Sequence, residues 1–244
     1  MELKKESYDG LPVTTELELM RQFLSTEKGA IWIELGCGQA RNALALAQDF
    51  PEIQINAYEV DEKQHEKNVS LEARPKNISF GKFGMQEFPG DPESVDAIIM
   101  LKSLHHVPKD CLKEGFAKIK TALKPGGKLF INEPVFGGAF NEIMRLFHDE
   151  EDVRSHAFDV LQGQIEEGEF VLEKELHFQS KTKFPRGFAD FEERILGSTF
   201  NHFHVTEDVL QTVKERFQQY LKDDGSAEFF TPMRTDILVK QAAN

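Results

Sequence analysis

The stretch that most constrains this chain is IWIELGCGQARNAL, residues 31–44. An apolar run reaches Glu34, crosses Gly-Cys-Gly, and passes directly into an alanine- and leucine-rich segment. Glycine at 36 and 38 lets the backbone come close to a ligand where a β-carbon would collide. The helix that follows presents unpaired main-chain N–H groups at its start, suited to an anion or a polar oxygen. The stretch therefore reads as a buried strand, a tight turn and a core helix, with the turn as a ligand-facing surface.

The residues around it extend this pattern. A short leading helix is expected over 14–28. After the core helix ARNALALAQDF come a second strand, IQINAYEV (53–60), and a polar amphipathic helix, DEKQHEKNVSLEA. ISFGKF and SVDAIIML read as the third and fourth strands, the latter with the continuous apolar run of a parallel strand covered on both faces. KDCLKEGFAKIKTAL carries Leu112, Phe116, Ile119 and Leu123 on one helical face, KPGG stops that helix, and KLFIN is a fifth strand. Strand and helix alternate without a break to residue 133, which predicts a Rossmann-like, doubly wound α/β fold. Its sheet is seven-stranded and mostly parallel, with helices on both faces and ligands at the carboxyl ends of the strands.

The second half reads differently. One long or two consecutive helices are expected over 138–168, a strand at FVLEKELHF and a last one at TDILVK. Between these strands lie about fifty residues with helical segments near 188–197 and 206–221, the second striped by Leu210, Val213, Phe217 and Leu221. That is too long and too apolar for an ordinary connection, and it is read as a helical lid inserted between the last two strands. A single domain over 1–244 is expected, with a core over about 28–135, a substrate and lid region over about 136–232, and a final strand over about 234–240.

Composition narrows the class. The formal net charge of −13 speaks against nonspecific binding to nucleic acid or an anionic membrane. MELKKESYDGLPV has no signal-peptide core, and no apolar run reaches membrane-spanning length. The two cysteines, Cys37 and Cys111, have no CxxC spacing, so a disulfide framework is not expected and a cytoplasmic location is. The oligomeric state is not legible.

Glu59 ends the second strand, 21 residues beyond Gly38, where an acidic side chain can accept two hydrogen bonds from a ribose diol. A nicotinamide dinucleotide would ask for a third glycine where this chain has Arg41, and Glu34 would sit badly against a diphosphate. Glu34 suits a ligand carrying positive charge.

With ELGCGQAR at the first turn, AYEVDE at the second strand end, SVDAIIMLKSLHHV at the fourth and LKPGGKLFINEP at the fifth, the chain resembles the class I S-adenosylmethionine-dependent methyltransferases. The similarity covers roughly residues 30–135, and LHHV and LKPGG resemble the small-molecule, quinone-biosynthesis-like branch. The resemblance implies S-adenosylmethionine as cofactor. Gly36, Cys37 and Gly38 would contact its methionine part, Glu34 its amino group, and Glu59 the ribose hydroxyls, with Val60 and Leu101 as further contacts. Gly84 stands where the family often carries an aspartate for the adenine amine; Met85 packing on the ring and Gln86 are the expected substitutes.

Methyl transfer from a sulfonium needs alignment, exclusion of water and, for some acceptors, a base. His105 and His106 follow the fourth strand; one of them is read as a base or a substrate contact, or the pair is a structural feature with one ring capping backbone groups. Glu133, after the fifth, is read as an acceptor-side carboxylate. Lys102 either pairs with an acidic neighbour or holds an anionic substrate. Asn141, Arg145 and His148 share one helical face, read either as a substrate-facing wall or as a solvated surface. Fifteen of the 21 phenylalanines lie between 130 and 230, and a group such as Phe184, Phe188, Phe191, Phe200 and Phe203 either walls an acceptor or forms the insertion's core. His202 and His204 lack a third ligand at a convincing spacing, so no metal is expected.

The function that follows is methyl transfer to a small, apolar or aromatic molecule by in-line displacement. The alternatives are a protein or nucleic-acid methyltransferase and a non-catalytic cofactor-binding regulator. Against nucleic acid, the chain reads LKSL where many amino-methylating enzymes carry an NPPY-type tetrapeptide.

Overall fold

The computed structural model describes residues 8, 10–197 and 205–241. In chain order the elements are α1 (Glu16–Phe23), β1 (Ile31–Leu35), α2 (Arg41–Asp49), β2 (Gln54–Tyr58), α3 (Glu62–Val69), β3 (Ile78–Gly81) and β4 (Val95–Leu101). Then follow α4 (Leu112–Ala122), β5 (Leu123–Pro134), α5 (Ala139–Met144), α6 (Glu151–Glu166), β6 (Val171–Phe184), α7 (Phe188–Phe191), α8 (Glu207–Gln218) and β7 (Ala227–Val239).

Seven strands form one sheet in the order β3-β2-β1-β4-β5-β7-β6. β1 pairs in parallel with β2 (Ile33 opposite Asn56) and with β4 (Ile33 opposite Ile98), and β4 pairs in parallel with β5 (Ile99 opposite Phe130). β7 runs against β5: the Gly126 N–H donates to the Lys240 carbonyl at 2.8 Å, and the Val135 N–H to that of Pro232 at 2.9 Å. The sheet is thus mixed, with the reversed strand entering after the chain has left the strand–helix alternation.

α4 stops at Ala122 because the residues after it cannot continue a helix. Leu123 is extended, with φ −65° and ψ 135°, and Pro125 disfavours helical geometry at the residue before it. Read as the stop of the helix before the fifth strand, KPGG is also a bulge inside β5. Leu123 already pairs with Val95, and the register resumes with Ala97 opposite Lys128.

The described residues fall into two compact units. One comprises Glu16–Glu133, Val153–Leu176 and the segment from Arg234 onward; the other comprises the stretch up to Thr15, Pro134–Asp152 and His177–Met233. In the first, alternate residues of β1 (Ile33, Leu35), β4 (Ile98, Met100) and β5 (Leu129, Ile131) share one sheet face, as the period of two requires. Phe116 and Ile119 of α4, and Ala157 and Leu161 of α6, cover that face. The second unit has its own core of Ile143, Phe184, Phe191, Val213, Phe217, Ala227 and Phe229. Its ring pairs stand 5.3–5.9 Å apart, as for Phe184–Phe191 and Phe217–Phe229, in tilted or edge-on geometry. In the helical stripe of this unit, Val213 and Phe217 are buried while Leu221 is exposed.

Candidate functional site

The turn after β1 is built by main-chain geometry. Gly36 (φ 76°) and Gly38 (φ 53°) both occupy the left-handed region, and the N–H groups of Gly36 and Cys37 both donate to the Tyr58 carbonyl at 2.9 Å. Gly36 is required twice over, because a Cβ there would fall 2.6 Å from Ser103 Cβ. At Gly38 a Cβ would meet nothing within 4 Å, so the turn is open on that side. Ser103 Oγ donates to the Leu35 carbonyl at 2.8 Å and ties the end of β1 to the residues after β4.

Two carboxyl groups close on this turn. Glu34 is buried, and its pKa is pushed up to about 8, chiefly by loss of water and secondly by the nearby Glu59 carboxylate. A hydrogen bond from the Ala43 main chain works the other way. That bond comes from the first turn of α2, whose N-cap Ala40 has no side chain to cap with, so Glu34 takes over a capping role. Glu59, also buried, accepts the Gly38 N–H at 2.6 Å on Oε2 and the Asp61 N–H at 2.9 Å on Oε1. Burial, with the charges of Glu34 and Glu59, raises the Cys37 thiol far above its ordinary range, so it is no nucleophile.

A third carboxylate was not legible as a site residue. Glu16 of α1 is buried and lies 2.6 Å from Lys102 Nζ, and its charge also raises Glu34. The available signal was spacing: Glu16 precedes Leu19 and Met20 by three and four residues, and all three are buried. Lys102, at φ 54° after β4, is therefore paired with an acidic neighbour, one of the two expectations for it. Leu101 closes β4 and is half-buried.

At the ends of β4 and β5 the structure brings His105 and Glu133 together. His105 Nδ1 is in hydrogen-bonding contact with Glu133 Oε2, and the Leu104 N–H donates to Glu133 Oε1 at 2.8 Å. Each Glu133 oxygen thus has one local partner, and the residue read as an acceptor-side carboxylate holds a histidine ring. His106 is exposed, with its ring centroid 4.1 Å from that of His105.

The segment expected to meet adenine is arranged around Gly84. A Cβ at 84 would fall 2.7 Å from Gln86 Oε1 and 2.8 Å from Val60 Cγ1, so those two side chains occupy the space an aspartate would need. Val60 is exposed. Met85 does not fit the expected stacking role, because its side chain is 1% exposed and packs in the core against Gly115.

In the other unit, Arg145 follows α5 and is balanced by Asp149 at 3.2 Å and Glu151 at 3.3 Å, with its guanidinium 4.9 Å from the Phe136 ring. His148 Nε2 lies 2.8 Å from Glu150, and Asn141 is buried. α5 ends at Met144, so Arg145 and His148 lie beyond it and the expected shared helical face is not formed; the cation there has acids of its own. Phe184 and Phe191 are fully buried core residues and Phe188 packs against them. Phe200, His202, Phe203 and His204 lie outside the described residues.

Comparison with known proteins agrees with this geometry. Residues 33–127 match the family described as a methyltransferase domain. The demethylspheroidene O-methyltransferase of Rhodobacter capsulatus is 27% identical over 107 residues, 44% of this chain and 26% of that protein. The chain thus spans about a quarter of the curated relative it matches. Among solved structures, the YcgJ protein of Bacillus subtilis superposes with a TM-score of 0.63 at 16% identity, covering 93% of this chain and 98% of that one. Phosphoethanolamine N-methyltransferase 2 of Haemonchus contortus, in complex with S-adenosyl-L-methionine, gives a TM-score of 0.53 at 17% identity, covering 93% of this chain and 52% of that one. At such identities the structural likeness concerns the fold. Residues 33–127 are thus similar to methyltransferase domains, and the fold and glycine turn resemble those of the Rossmann-like class I methyltransferases.

Among the described residues no helix is long and apolar enough to cross a membrane.

Proposed function

We propose that this chain transfers a methyl group from S-adenosylmethionine to a small apolar or aromatic acceptor by in-line displacement. The observation that carries the reading is Glu34: a buried carboxyl pushed up to about 8, facing a second carboxylate. Such a group lacks a nearby positive charge, which the amino group and sulfonium of the donor bring.

The residues of the turn fit that group. Gly36, Cys37 and Gly38 take the methionine part along the open side of Gly38, Glu34 takes its amino group, and Glu59 the ribose hydroxyls. Each Glu59 oxygen accepts one main-chain N–H, and a carboxylate has lone pairs for further donors. Val60 and Gln86 face the adenine. Lys118 Nζ donates to the Gln86 main-chain carbonyl at 2.6 Å, which leaves the side-chain amide for the ligand.

When bound, the cofactor supplies a methyl group already activated as a sulfonium. The chain's own work is to align the acceptor, exclude water and remove a proton. His105 is the base: Glu133 holds Nδ1, fixes the tautomer and stabilises the imidazolium, so the proton is taken at Nε2. His106 beside it contacts the acceptor. A small acceptor is supported by the similarity to an O-methyltransferase acting on demethylspheroidene and by the net charge of −13, which disfavours nucleic acid.

Calorimetry with S-adenosylhomocysteine tests the assignment. Glu59→Ala weakens binding by ~1.5–3 kcal/mol, about 10- to 150-fold, through loss of charge-assisted bonds; unchanged affinity refutes the ribose site. In the same titration Glu133→Gln leaves donor affinity unchanged, whereas its turnover falls.

A further inference from the structure

The inner face of α3 carries amides where apolar side chains are usual. Gln64 and Asn68, one helical turn apart, are the buried residues of this helix. Buried amides are costly unless bonded, and here the bonds close a ring. Gln64 Nε2 donates to Asn68 Oδ1 at 2.8 Å, and Asn68 Nδ2 donates to the Gly38 carbonyl at 2.7 Å. The Gly38 N–H donates to Glu59 Oε2 at 2.6 Å, and Glu59 Oε1 accepts the Asp61 N–H at 2.9 Å. Asp61 caps α3 by accepting the Gln64 N–H at 2.8 Å, which returns the circuit to its start.

We infer that Asn68, with its orientation set by Gln64, is a positioning residue for the donor site, an inference that rests on the cofactor assignment above. The two peptide groups flanking the Gly38 Cα are pinned separately, one by the Glu59 carboxylate and one by the Asn68 amide. That holds Gly38 at φ 53° with its open side clear, and holds the Glu59 carboxylate in one plane before any ligand arrives. Binding then need not order the turn, so affinity is not spent on it. Asparagine is required because an aspartate of the same shape would set an oxygen against the Gly38 carbonyl. Gln64 is required because its N–H₂ is the donor that makes the Asn68 amide present nitrogen, not oxygen, to the turn.

This yields an expectation for a residue that does not touch the turn. In Gln64→Glu the donor is gone, the Asn68 amide reverses to give its N–H₂ to the carboxylate introduced on α3, and Gly38 loses its bond. Calorimetry with S-adenosylhomocysteine on the full chain, beside thermal denaturation, tests it. Asn68→Asp and Gln64→Glu each weaken binding by about 10- to 30-fold. The double variant is no more than about twofold weaker than the worse single, since all three lose the same bond. Should Asn68→Asp fold too poorly to titrate, Gln64→Glu alone carries the test. A lowered melting temperature with affinity within about twofold of the unaltered chain makes the ring merely structural and overturns the inference, as do fully additive losses. Failure of the unaltered, folded chain to bind S-adenosylhomocysteine would instead strike the cofactor assignment.

Discussion

Glu34 shows how one residue couples folding to ligand binding. Its carboxyl rises from an ordinary 4.5 to about 8 in the folded chain, so between those values the folded state holds a proton that the unfolded state has released. Stability from this group is therefore fully present below about pH 4.5 and is lost as pH rises toward about 8. Glu34→Gln keeps the shape, can still accept from Ala43, and has no charge to desolvate. We expect its melting temperature to exceed that of the unaltered chain at about pH 8.5, with the gap closing toward about pH 5. Parallel curves across that range, followed by circular dichroism, would show that Glu34 ionises freely. Glu34 and Glu59 could be read from sequence because they end strands in a recognisable order. Glu16 and Asn68 could not, since a carboxylate and an amide on polar helices look like solvated surface until the packing shows which face is inside.

At the scale of elements, α4 illustrates a local rule set aside by packing. A glycine in a helix interior costs roughly 0.5–1 kcal/mol relative to alanine, yet Gly115 lies inside α4. A Cβ there would stand 2.6 Å from Met85 Cγ, so the glycine admits the Met85 side chain into the core and fixes the loop that leads to Gln86. Gly115→Ala should destabilise the chain by ~1–2 kcal/mol despite its better helix propensity. Urea denaturation would measure this, and a stabilised variant would mean that Met85 repacks without cost. Continuous apolar runs made β1 and β4 legible, and periodicity made α4 so. The extent of β5 was hidden because KPGG reads as a stop, whereas the structure absorbs it as a bulge. The reversal of β7 was hidden as well, since direction leaves no mark in a short apolar run. Fully buried Phe184 and Phe191 belong to a separate aromatic core, a role that composition alone does not distinguish from a pocket wall.

At the scale of the molecule, the donor turn and the His105–Glu133 pair lie in one compact unit, which contains the 33–127 segment shared with methyltransferase domains. The phenylalanine core formed by α7, α8 and their neighbours lies in the other. If the glycine turn holds S-adenosylmethionine, isothermal titration of the folded chain with that ligand gives one site per chain in the micromolar range, with a matching rise in melting temperature as ligand is added. No heat and no thermal shift, with the chain folded by circular dichroism, would contradict it.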